Sequence, residues 1–334
     1  MAINTVGDLA MSYIFRSRNA QTKADLARLS QEVATGQVAS VSDAVKGDFG
    51  TLSAIENNLG QLEAYRGSIN EAAGFTGAVQ GTLESIRQTA EGISHDLLAS
   101  SSMGQSALSS SLAGSATDAF ETAVSRLNTS FGGRSLFAGI ATKSAAVAPA
   151  ETILAALETA VSSETTAAGV KSVVDEWFAA GGGFDSVAYL GSTTPLAPMA
   201  AGQGKQVSIA VTAADAPLRD TLRGLALAAL INRAPLQSSS SQQAKMAVMA
   251  SETLMQANTE MLDEQAKVGI AQESFETALA SNASETAAMK LAMSNILSAD
   301  PYDRATQLKQ AETQLEMLYT LTARTAAMKL SDYL

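Results

Sequence analysis

Both ends of this chain are amphipathic helix sequence with apolar residues on two sides. Near the start, Val6, Ala10, Tyr13, Ala20, Ala24 and Ala27 fall at steps of three, four or seven, and Phe15, Leu26, Leu29 and Val33 make a second stripe. Near the finish, Leu308, Ala311, Leu315, Leu318 and Thr322 alternate by four and three, with Met317, Leu321 and Met328 beside them. A helix that is apolar on two sides must be covered on two sides. Pairing the two ends covers one face, and further copies of the chain can cover the other. The pattern therefore predicts an assembly subunit whose contact residues are Val6, Tyr13, Phe15, Leu26, Leu29, Val33, Leu308, Leu315, Leu318 and Leu321.

The rest of the composition narrows the function classes. At 334 residues there is room for about two domains. Aromatic residues are only 5% and the hydrophobic fraction is 46%, with heavy use of Ala and Ser, which suits closely packed helices. A net charge of −11 with no basic block argues against nucleic acid, because phosphate binding rests on Lys and Arg. With no cysteine, disulfides and Cys-based metal sites are excluded. No apolar run approaches the ~20 residues of a membrane helix, so no membrane partner is expected. The stretch near Leu9 to Phe15 is short, broken by Ser12 and has no basic residue ahead of it, unlike a signal peptide. Any export is expected to use a route that cleaves no such signal.

Along the chain, Leu52, Ile55, Leu59, Leu62 and Ile69 lead into Val79, Leu83, Ile86, Ala90, Ile93 and Leu97 without a proline, predicting long coiled-coil-like helix from about Asp48 to Leu98. A further helix is expected over about 105–131. After Phe137 come two short helices, near 150–161 and 167–179, a Gly181–Gly183 break, a strand-like SVAYL and an alternating strand Gln206–Thr212 with Val207, Ile209 and Val211 on one side. Asp215 reads as the N-cap of the next helix. A long helix from Ala244 to about Ile296 carries Met246, Met249, Thr253, Met255, Leu262, Val268, Phe275, Leu279 and Met289, and Asp300-Pro301 marks its break from the last helix. The fold class is thus mainly α, a long antiparallel helical rod or coiled coil of N- and C-terminal segments with a small α/β insert. Its domains are 1–40 plus 300–334 (terminal coiled coil), 41–137 plus 236–299 (helical rod) and 138–235 (insert).

Inside the first long helix, Gly60, Gly67, Gly74 and Gly81 recur every seven residues on one stripe. Each weakens a helix by about 1 kcal/mol relative to alanine. Two readings are open: close backbone approach by a second helix of this chain or a neighbour, or a helix broken near one of them.

Catalytic chemistry finds no support, and no cofactor is called for. His95 is the only histidine, which excludes His-pair metal sites and H-E-x-x-H proteolysis. GQGK at Gly202–Lys205 is too short for a phosphate loop and precedes a strand, so it reads as a turn. Ser238–Ser241 lacks a G-x-S-x-G context and reads as a connector. Asp263, Glu264, Glu273 and Glu276 are spaced as a solvated helix face. Trp177 reads as a core residue of the insert, with an interface anchor as the alternative.

Four segments carry a family resemblance. LARLSQEVATGQ at Leu26–Gln37 resembles the end of the first helix in flagellins and hook-associated proteins. GGRSLFAGIATKSAAVAP resembles the N-G-R-Y-L-F-A-G segment of the hook–filament junction type, on Gly133, Arg134, Leu136, Phe137, Ala138 and Gly139. YLGSTTPL with KQVSIAV resembles that type's insert, and YTLTARTAAMKLSDYL its last helix. At Val41–Gly50 the chain departs from the family's Asp-Asp-Pro-like turn. The resemblance implies a flagellar hook-associated protein of the flagellin superfamily, a secreted structural subunit at the hook–filament junction that passes through the flagellar secretion channel without a cleaved signal. It also implies terminal helices that stay unpaired or frayed in the free monomer and order on stacking. Implied partners are another hook-associated protein on the hook side, flagellin on the filament side, copies of itself and an export chaperone. Flagellin itself is the nearest alternative, and a soluble coiled-coil adaptor that dimerises is a third reading.

Overall fold

The computed structural model describes residues 3–102, 110–233, 236 and 239–331. It is mainly helical, with long helices packed on each other. The chain divides into two compact units, Met1–Glu63 with Ala283–Leu334 and Ala64–Asn282. The boundaries fall inside two long helices, α3 (Gly50–Ser102) and α8 (Ser240–Leu297).

In the first unit, α1 (Ile3–Thr35) packs against α9 (Pro301–Ser331). Between α1 and α3 lies one short helix, α2 (Val41–Ala44), capped by Ser40, whose hydroxyl accepts from Asp43 N. Lys46 and Gly47 then turn the chain through the left-handed region, at φ 52° and 82°. Asp300 ends the gap between α8 and α9 as a helix cap: its Oδ1 accepts from Tyr302 N at 2.9 Å and Asp303 N at 3.3 Å.

The second unit is built on a core seam of α3, where Ile69, Phe75, Val79, Leu83, Ile86, Ile93 and Leu97 are buried. The same buried cluster takes in Phe120, Val124 and Leu127 of α4 (Ser110–Leu127) and Met246, Leu254, Met261, Val268 and Phe275 of α8. Burial repeats at steps of three and four on each helix, the spacing that brings one face to a partner. Met255 and Leu262 fall off that face of α8 and are exposed. α3 and α8 are pinned by Ser94 and Ser251: each hydroxyl donates to the other's carbonyl, at 3.2 and 3.1 Å, and both residues are buried.

The middle of the chain adds α5 (Ala150–Val161), α6 (Ala167–Phe178) and α7 (Ala216–Ala229), with α7 packed on α4 and α6. The strands are shorter than the sequence predicts. SVAYL is not a strand: Phe184–Ala188 forms a π-helical turn closed by Tyr189 N donating to Phe184 O at 2.8 Å. The cause is aromatic packing. Phe184 stacks on Phe178 and Tyr189, with ring centroids 5.5 and 6.3 Å away, and an extended chain cannot hold residues 184 and 189 so close. Trp177 meets the same group edge-on, 4.9 Å from Phe178, and packs against the core. Of the predicted strand 206–212, only Gln206–Val207 (β4) pairs, with Met199–Ala200 (β3), across the turn made by GQGK. A second ladder joins Ser130–Phe131 (β1) to Arg134–Ser135 (β2). For chain order, β1 and β2 follow α4, and β3 and β4 precede α7. Asp215 stands at the N-cap of α7, but its carboxylate turns back and accepts from Thr212 N at 2.7 Å instead of capping the helix.

Candidate assembly interface

α1 and α9 run antiparallel. Gln37 bridges Ser298, Val38 N donates to Leu297 O, and Ala299 N donates to Gly36 O, each bond 2.9 Å long. Farther along, Lys23 Nζ lies 5.6 Å from the Tyr319 ring. The seam is built by Thr22 and Leu29, buried on α1, with Ala311 and Leu318, buried on α9. Phe15 and Leu26 of α1, and Leu308 and Leu315 of α9, are half-buried along the same line.

An ion cluster closes the end of this seam nearest α2. Glu32 has no exposed side-chain surface, and its Oε1 accepts from Arg28 Nη1 and from Ala39 N, both at 3.1 Å. Its Oε2 lies 3.4 Å from Arg304 Nη1 of α9. A carboxylate removed from water needs such compensation, and here it comes from two guanidinium groups and a backbone N–H. The cluster fixes which turn of α1 meets which turn of α9.

The two predicted stripes therefore separate. Phe15, Leu26 and Leu29 face α9, while Ala10, Tyr13, Ala20, Ala24 and Ala27 face outward. Tyr13 is 70% exposed, and Met11 and Ile14 beside it are exposed as well. On α9, Leu308, Leu315 and Leu318 turn inward, whereas Met317, Tyr319 and Leu321 stay on the outside. Val33 also faces outward, because Glu32 takes the inward position at that turn. Val6 lies in α1, but its side chain, like that of Met328, falls outside the described residues. The helices are paired in the single chain, contrary to the expectation that they lie apart until stacked. The Glu32 cluster and the apolar seam give the pair its own contacts.

The glycine stripe sits on an unbroken α3, which removes the reading of a helix interrupted there. At Gly60, Gly67 and Gly81 an added Cβ would meet, beyond its own helix backbone, no atom of the described residues within 4 Å. At Gly74 it would lie 2.8 Å from Cζ of Phe131, so that glycine makes room for a side chain of the β1–β2 hairpin rather than for a helix.

The Gly133–Gly139 segment is an anchor. Gly132 and Gly133 form the two-residue hairpin turn with φ 57° and 75°, which L side chains rarely adopt. Arg134 places its guanidinium 5.4 Å from the Phe75 ring and 3.3 Å from Glu71. Leu136, Phe137 and Ala138 are buried. Phe137 O accepts from Ala213 N, and Ala138 O from Ser192 N, both at 2.9 Å, while Gly139 lies against the Ser192 and Thr194 carbonyls. These residues tie two later loops to α3 and α4.

Among the described residues, no group of three His, Cys, Asp or Glu side chains is placed to hold a metal ion, and no helix is long and apolar enough to cross a membrane. His95 is exposed, 3.9 Å from Glu91. Glu264 corrects the reading of a solvated acidic face: it is buried, and Lys267 Nζ pairs with it at 2.7 Å. Sequence reasoning also missed Glu32, because a glutamate among polar neighbours looks solvated unless its partner 272 positions later is known.

Residues 252–334 match the model of the bacterial flagellin C-terminal helical region. The fold is similar to the solved structure of a Vibrio parahaemolyticus protein assigned to the flagellar hook-associated proteins, with a TM-score of 0.52 and 13% identity over 77% of this chain and 100% of that one. At that identity the likeness is one of fold alone. No curated protein matches.

Proposed function

We propose that this flagellin-superfamily chain is a structural subunit of the bacterial flagellum, and that within it the chain joins hook to filament. The observation that carries the reading is the set of outward apolar side chains on the α1–α9 pair, Tyr13 on α1 and Met317 on α9, together with the match of the α9 segment to the flagellin C-terminal helical region. In the free chain those side chains meet water. Stacked copies would cover them, and because the contact is head to tail it propagates instead of closing. The terminal part, 1–40 with 300–334, is the contact-making domain in this reading. Gly60, Gly67 and Gly81 leave room for a neighbour's helix to approach α3.

The same reading gives the partners: another hook-associated protein below, flagellin above, further copies alongside, and a chaperone that masks α9 before passage through the flagellar secretion channel. A filament subunit is the second reading, favoured by the flagellin match itself. Immunogold labelling of isolated flagella separates the two. A short band at the hook–filament boundary is the expected result, and label along the whole filament would make the chain a flagellin.

A further inference from the structure

A second feature lies in the other unit, beside α8. From β4 the chain runs on through Ser208–Val211 with the burial alternation of a strand: Ile209 and Val211 enter the core, and Ser208 and Ala210 face out. Yet pairing stops at Val207. Among the described residues, no hydrogen bond reaches the backbone N–H or C=O of Ser208, Ile209, Ala210 or Val211, and backbone bonding resumes only at Thr212 and Ala213. Backbone groups this close to a core are ordinarily satisfied, and an open edge is a template for another strand.

The edge borders a cavity of about 580 Å³ whose far wall is α8 and the start of α7. That wall is acidic. Asp215, Glu260, Asp263 and Glu264 line it against a single cation, Lys267, which is already committed to Glu264 at 2.7 Å. Asp215 is occupied by Thr212 N, and Gln256 covers one oxygen of Glu260 at 3.1 Å. Asp263 is exposed.

We propose that this cleft takes an extended peptide strand of a partner protein that carries a basic side chain. The strand would add to the Ser208–Val211 edge through backbone hydrogen bonds, the mode of β-strand addition, and would set a Lys or Arg against Asp263 and Glu260. A helical partner leaves the open backbone unanswered, and an acidic strand is repelled by the wall. The inference is independent of the terminal helices and of the flagellar role.

Fluorescence anisotropy on the full-length protein tests it, with a labelled, capped heptapeptide of alternating valine and lysine as probe. Saturable binding is expected. A twin peptide N-methylated along one edge, which cannot complete the ladder, should bind at least tenfold more weakly. A twin with glutamate for lysine should not bind. Asp263→Lys, on an exposed position, should weaken the basic peptide at least fivefold. No binding of the basic peptide, or equal binding of its N-methylated twin, overturns strand addition. Equal binding to Asp263→Lys overturns the basic preference.

Discussion

Glu32 of α1 and Arg304 of α9 lie 3.4 Å apart, the carboxylate fully buried and the guanidinium 21% exposed. Leu29, Ala311 and Leu318 could pack one turn away with similar burial, whereas this pair and the backbone bonds Val38–Leu297 and Ala299–Gly36 hold one register. Removing the carboxylate takes one partner from Arg28, which keeps Asp25, and one from Arg304, which keeps Gln307, and it leaves Ala39 N without its acceptor. Glu32→Ala should therefore cost about 3 kcal/mol, the low end for breaking a buried pair. Hydrogen exchange should rise in α1 and α9 while α3 beyond residue 64 keeps its protection. Glu32→Gln preserves an acceptor for Ala39 and should cost less.

The glycines of α3 give opposite signs. Gly60, Gly67 and Gly81 are exposed helix positions with space for a methyl group, so alanine at each should raise thermal stability of the isolated chain by up to about 1 kcal/mol. Gly74→Ala should lower it, because the Phe131 ring must move. If a neighbour's helix uses the open stripe, the triple alanine variant will be more stable yet incorporate less well into flagella. Unchanged incorporation would remove the stripe from the contact surface.

Glu84 links α3 to α8 and provides a pH signature. Arg87 donates to it along the helix and Gln265 Nε2 donates from α8 at 3.0 Å, so its carboxyl is held at about 2, below the ordinary 4.5. A carboxylate depressed in the folded state adds stability above about pH 4.5, and that contribution fades as pH falls through about 2. Its side chain is 39% exposed, so solvent screening keeps the gain under about 1 kcal/mol. The stability gap between the wild type and Glu84→Gln should shrink steadily between those two pH values. A gap independent of pH would contradict the assignment.

Ser94 and Ser251 let α3 and α8 approach through small side chains that return their own hydrogen bonds. Ser94→Ala loses one donor and should cost about 1 kcal/mol in urea unfolding. Ser94→Leu must push the helices apart and should cost more, roughly 2–3 kcal/mol.

Helices were legible wherever one apolar period ran uninterrupted. The steps from Val79 to Leu97 mark the buried face of α3, and Asp300-Pro301 marks the break before α9. The two stripes of each terminal helix were visible too, and the structure sorts Leu29 inward and Tyr13 outward. Which stripe meets the partner was not legible, because it depends on Glu32 finding Arg304 across 272 positions. SVAYL failed for a related reason: β-branched and aromatic residues read as strand, but the Phe178–Phe184–Tyr189 packing demands a wound backbone. At Ser208–Val211 the alternation was real and the partner strand was missing. Periodicity reports which side is buried, not whether the edge is filled.

In the proposed role, the outward side chains of the α1–α9 pair make the contacts between subunits. Tyr13→Asp with Met317→Asp tests this most directly, since both side chains are exposed and neither belongs to the seam. Melting of the isolated chain should shift by no more than about 0.5 kcal/mol, as for ordinary surface changes, while incorporation of the double variant into flagella, scored by immunogold labelling, should fall to background. Incorporation at the wild-type level by a normally folded double variant would contradict the account.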